Sequence, residues 1–73
     1  MSSIEIFKTS VAQKQDAQQL AEEITVHFPE YNVNFDLEDC DRILRVENKR
    51  GSVEIISIIK LMKSKQVECK VLN

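Results

Sequence analysis

Residues 31–37 constrain this chain more than any other segment. Tyr31, Val33, Phe35 and Leu37 alternate with Asn32, Asn34 and Asp36. A period of two sustained over seven positions describes an extended strand with one apolar and one polar face. Pro29 lies just upstream and pushes the residue before it out of helical geometry, so a preceding helix ends at Phe28. Glu38-Asp39-Cys40-Asp41 then makes a turn, and residues 42–47 return with Leu44 and Val46 on one face and Ile43, Arg45 and Glu47 on the other. The two runs form a hairpin, whose apolar face needs a covering layer.

The flanking segments supply that layer. Between residues 13 and 28, Ala17, Leu20, Ala21, Ile24 and Phe28 recur at spacings of three and four, which predicts a helix with one apolar stripe. Ser10 is its candidate N-cap. Residues 53–64 predict a second helix, capped by Ser52, with Glu54 in its first turn and Lys60, Lys63 and Lys65 toward its end. Its isoleucines have poor helix propensity, and a strand is the competing reading of that run. A shared face for Ile55, Ile59 and Met62, the cap and the closing lysines favour helix. Residues 3–9 form a first strand, with Ile4 and Ile6 on one face and Glu5, Phe7 and Thr9 on the other; Val67, Cys69 and Val71 alternate in a last one. The order is β-α-β-β-α-β. Two interleaved, right-handed β-α-β units predict a ferredoxin-like open-faced sandwich in the α+β class. Its antiparallel sheet runs 4-1-3-2 and carries both helices on one face.

Size and charge narrow the function. A chain of 73 residues is one domain with a thin core. Its net charge of −2, with acids and bases interspersed, argues against nucleic acid as a partner. Residues 1–5 do not read as a signal peptide, and the apolar run of residues 55–62 is too short to span a bilayer. A cytoplasmic location away from membranes, with Cys40 and Cys69 reduced, is expected.

The element order, together with Leu20-Ala21-Glu22-Glu23-Ile24, Val33-Asn34-Phe35-Asp36-Leu37-Glu38 and Val67-Glu68-Cys69-Lys70-Val71-Leu72, resembles the heavy-metal-associated domain of copper chaperones and metal-transporting ATPases. The resemblance covers nearly the whole chain. It implies a metal motif, M-x-C-x-x-C, in the loop between the first strand and first helix, where paired thiolates hold monovalent copper. Here Val11 takes the methionine position, and Gln13 and Asp16 take the cysteine positions to within one residue. A neutral amide and a hard carboxylate do not replace thiolates, so the family's metal chemistry does not transfer.

The remaining candidates are few. Cys69 reads as a small buried hydrophobe in mid-strand. Cys40 reads as exposed beside Glu38, Asp39 and Asp41, whereas activated thiols sit in electropositive surroundings. Asp39, Cys40 and Asp41 are the alternative metal ligands, although the acidic turn lacks the spacing of a calcium loop. His27 has no partner at a telling spacing. RNA-binding domains of this fold stack bases on central-strand aromatics. Here the first strand offers Phe7 and the third only Ile43, Arg45 and Glu47. No pair of groups implies catalysis. The sequence therefore predicts a non-catalytic interaction or regulatory module without cofactor or metal. Its partner is a protein, with a homodimer through an edge strand as one form. The alternative is divergent metal binding at Cys40.

Overall fold

The structure is a computed structural model and describes residues 3–72. Its elements are β1 (Ser3–Thr9), α1 (Lys14–His27), β2 (Tyr31–Asp36), β3 (Ile43–Asn48), α2 (Ile55–Ser64) and β4 (Cys69–Val71). The strands make one sheet in the order β2-β3-β1-β4, with every neighbouring pair antiparallel. This is the expected order counted from the opposite edge, in an α+β sandwich of ferredoxin-like arrangement.

Both helices cover the same face. Ala17, Leu20 and Ile24 of α1 and Ile58 and Met62 of α2 join Phe7, Tyr31, Leu44 and Val46 of the sheet in one buried cluster. Phe7, Ile24, Leu44, Ile58 and Met62 are wholly removed from solvent. Each contributes about 1.5–3 kcal/mol through burial. The helix beginning at Ile55 settles the competition between helix and strand in favour of helix.

The register keeps the two faces expected of β1 and shows which of them the helices cover. Phe7 lies opposite Leu44 and Val71, all three on the helix-covered side, while Ile4 and Ile6 lie on the open side with Arg45 and Glu47. Phe7 is therefore a core side chain and offers no stacking platform. Apolar residues occupy both parities of β1, so alternation alone does not select the buried set; the cross-strand partner does.

Four expectations are revised. The buried stripe of α2 centres on Ile58 and Met62, with Ile55 and Ile59 half-buried. Isoleucine at four nearly consecutive positions allows two competing stripes, and the fold buries the one through Ile58 and Met62. Ser52 does not cap α2: the N-cap position is Glu54, without a side-chain cap. The Glu54 N–H is instead taken by the Tyr31 hydroxyl at 2.9 Å, from the far side of the core. Ser10 does not cap α1 either, since the N-cap position there is Gln13. Cys69 opens β4 rather than occupying its middle.

The end of α2 is also defined by backbone geometry. Gln66 is in the left-handed region at φ 61°. Its N–H bonds the Lys63 carbonyl at 2.9 Å, and the Val67 N–H bonds the Met62 carbonyl at 3.0 Å. This is a Schellman closure, which usually places glycine where Gln66 stands.

Candidate functional site

The loop between β1 and α1 is built around two short polar side chains. Thr9 is buried; its Oγ1 donates to the Arg42 carbonyl at 2.7 Å and accepts the Val11 N–H at 3.2 Å. The Thr9 N–H donates to the Asp41 carbonyl at 3.2 Å, and Lys8 Nζ pairs with Asp41 Oδ1 at 3.5 Å. The first loop and the hairpin turn therefore lie at one end of the sheet. Ser10 is used for cohesion as well. Its N–H donates to the Glu68 carbonyl at 3.1 Å and its Oγ accepts the Glu68 N–H at 2.9 Å, which extends the joining of β1 to β4.

This arrangement does not fit a soft monovalent metal. Val11, at the methionine position, is 3% exposed and belongs to the core cluster. Gln13 and Asp16, at the thiol positions, are exposed, and Gln13 makes no capping bond. The donors on offer are an amide and a carboxylate, which are poor copper(I) ligands. Beside them runs a polar cleft of about 480 Å³ between the loop, α1 and residues 65–67. The ion pair from Lys65 Nζ to Glu23 Oε1, at 2.9 Å, bridges α1 to the end of α2 along its wall.

The hairpin turn gathers Asp39, Cys40 and Asp41, whose donor atoms lie within 4.8 Å of one another. Two of these groups already have structural work. Asp39 Oδ1 accepts the Asp41 N–H at 2.8 Å, and Asp41 faces Lys8. Arg42 adopts φ 50° directly after them; its N–H bonds the Asp39 carbonyl at 3.0 Å and its guanidinium bonds the Leu37 carbonyl at 3.2 Å. The acidic side chains thus shape a tight turn, with Cys40 exposed at its tip.

Cys69 packs against the core cluster as a half-buried free thiol. Burial pushes its pKa from 9.0 up to about 11, the behaviour of an inert structural thiol. His27 is exposed, and its Nδ1 donates to the Glu23 carbonyl at 2.9 Å within the same helix.

A feature absent from the sequence reading lies at the opposite edge. Strand β2 has only β3 as a neighbour. Between its outer edge and α1 runs a groove of about 560 Å³, lined by Ala17, Ala21, Phe35 and Leu37, with Lys14 and Glu38 at its rim. The small alanines on α1 open the space that larger residues would fill. Among the described residues, no helix is long and apolar enough to cross a membrane. Comparison with family models, with curated proteins and with solved structures gives no match to this chain.

Proposed function

We propose that this chain is a non-catalytic, cytoplasmic protein-interaction module on a scaffold resembling the heavy-metal-associated domain, working without metal or cofactor. The observation that carries this reading is the unpaired edge of β2 beside the groove formed with α1. An extended partner segment adding to that edge gains main-chain hydrogen bonds, and an apolar side chain on it enters the groove. The first loop supports the same view, because its polar groups bind the sheet together.

The test compares the reduced wild-type chain with Ala21→Arg, which fills the groove from α1. The wild-type chain is expected to capture a stoichiometric partner from its host, and Ala21→Arg to lose that partner while keeping its melting temperature. A partner retained equally by both forms overturns the β2 edge as the docking surface.

The second reading is metal binding at Cys40 with Asp39 and Asp41, favoured by their 4.8 Å clustering. Titration with zinc and copper(I), followed by NMR, tests it. Saturable shifts at Cys40 that vanish in Cys40→Ser support a site there. Binding that survives that substitution excludes it.

A further inference from the structure

The open face of the sheet, away from the helices and from the β2 groove, has its own pattern. Asp36 pairs with Ile43, Ile43 with Lys8, and Lys8 with Lys70, so one row across the four strands reads Asp36, Ile43, Lys8, Lys70. The next row reads Asn34, Arg45, Ile6, and the Leu72 N–H bonds the Ile6 carbonyl at 2.8 Å. The third row reads Asn32, Glu47, Ile4. Apolar side chains therefore concentrate toward β1 and β4, where Ile4 is 53% and Leu72 37% exposed. The ends of the first row carry opposite charge: Asp36 on β2 and Lys70 on β4. Both are exposed, and neither makes an ion pair among the described residues.

We propose that this face is a self-complementary docking surface for a second copy of the chain. A two-fold axis lying between two such faces and parallel to the strands sets β2 of one copy over β4 of the other. The first row then places Asp36 over Lys70 of the second copy, twice by symmetry, and Ile43 against the aliphatic stem of Lys8. The second row places the stem of Arg45 over Ile6. The isoleucines and Leu72 are covered, and unlike charges meet at both margins. Within one chain, Asp36 and Lys70 stand three strand spacings apart, about 14 Å. Pairing between them is available only across the interface. This surface does not depend on the β2 groove, so either proposal stands or falls without the other.

Sedimentation equilibrium of the full reduced chain, from micromolar to millimolar, tests the proposal. A reversible dimer is expected that is weakened by high salt. Asp36→Lys or Lys70→Glu alone brings like charges together at two points and weakens the dimer about tenfold or more. The double variant Asp36→Lys/Lys70→Glu restores it, because the same contacts re-form with signs exchanged. Ile4→Arg, at an exposed position, abolishes it while the monomer keeps its melting temperature. A chain that stays monomeric throughout, or a dimer indifferent to these substitutions, overturns the proposal.

Discussion

Replacing Thr9 by valine isolates the polar contribution of one buried side chain. Valine has nearly the shape of threonine, and Thr9 is 6% exposed, so the substitution fills the same space. Two hydrogen bonds are lost, the donor bond to the Arg42 carbonyl at 2.7 Å and the acceptor bond from the Val11 N–H at 3.2 Å. Each group left buried without a partner costs about 1–3 kcal/mol. The added methyl returns about 0.8 kcal/mol through burial. The net loss is about 1–5 kcal/mol, out of about 4–11 kcal/mol for a chain of this length. The melting temperature is expected to fall by roughly 4–40 °C. Thr9→Ser keeps both bonds and forfeits one methyl, about 1 kcal/mol. Thermal and urea melts by far-UV circular dichroism compare the three forms, and hydrogen exchange follows the Val11 amide. Valine is expected to be the least stable form, with Val11 exchanging fastest there. A valine variant as stable as the wild type, or more stable than the serine variant, would refute this role for Thr9.

Gln66→Gly is expected to stabilise the chain by about 0.5–1 kcal/mol, because it relieves the left-handed strain of a residue whose side chain is exposed; Gln66→Ala, measured in the same urea melts, leaves stability nearly unchanged. Tyr31→Phe keeps the ring stacked on Phe28, with centroids 4.6 Å apart, and loses only the acceptor at the start of α2. About 1 kcal/mol is expected from thermal melts, with faster exchange of the Glu54 amide. Iodoacetamide at pH 8 is expected to alkylate exposed Cys40 well before Cys69, whose thiol titrates near 11; peptide mass mapping over time reads the order. The folded-state pKa of Cys69 is raised, so its contribution to stability is complete below pH 9.0 and is lost as pH rises through about 11. Melts of Cys69→Ala against the wild type across that range are expected to converge.

The hairpin and the order of elements were legible because β2 alternates cleanly and Pro29 marks the end of α1. Helix starts were less legible. Ser10 and Ser52 have the chemistry of caps, but nothing local distinguishes a serine that caps a helix from one that ties two strands, as Ser10 does. The acceptor at the start of α2 is Tyr31, far away in sequence, so no local pattern announces it. Phe7 was ambiguous because its neighbour Ile6 is apolar too, and only the pairing with Leu44 resolves it. That Gln13 and Asp16 are poor ligands for copper(I) was readable from their residue types. The β2 groove was not, because it arises from Ala17 and Ala21 meeting Phe35 and Leu37 across two elements.

The strand order also governs how the chain reaches this state. Strand β1 precedes the other strands in the chain, yet it occupies the interior of the sheet. Phe7 waits for Leu44 on one side and for Val71 on the other. On a ribosome, the β2–β3 hairpin and α1 can assemble early, but β1 gains its second neighbour only after β4 has emerged. Both of its pairings close long loops, which slows folding relative to helical chains of similar size. Until then the hydrogen-bonding groups on the β4 side of β1 lack partners, and the core residue Phe7 is only partly covered. The last strand is a mere three residues, Cys69–Val71. Truncation there would remove little surface from the finished protein and yet leave the central strand as an edge, open to pairing with other chains.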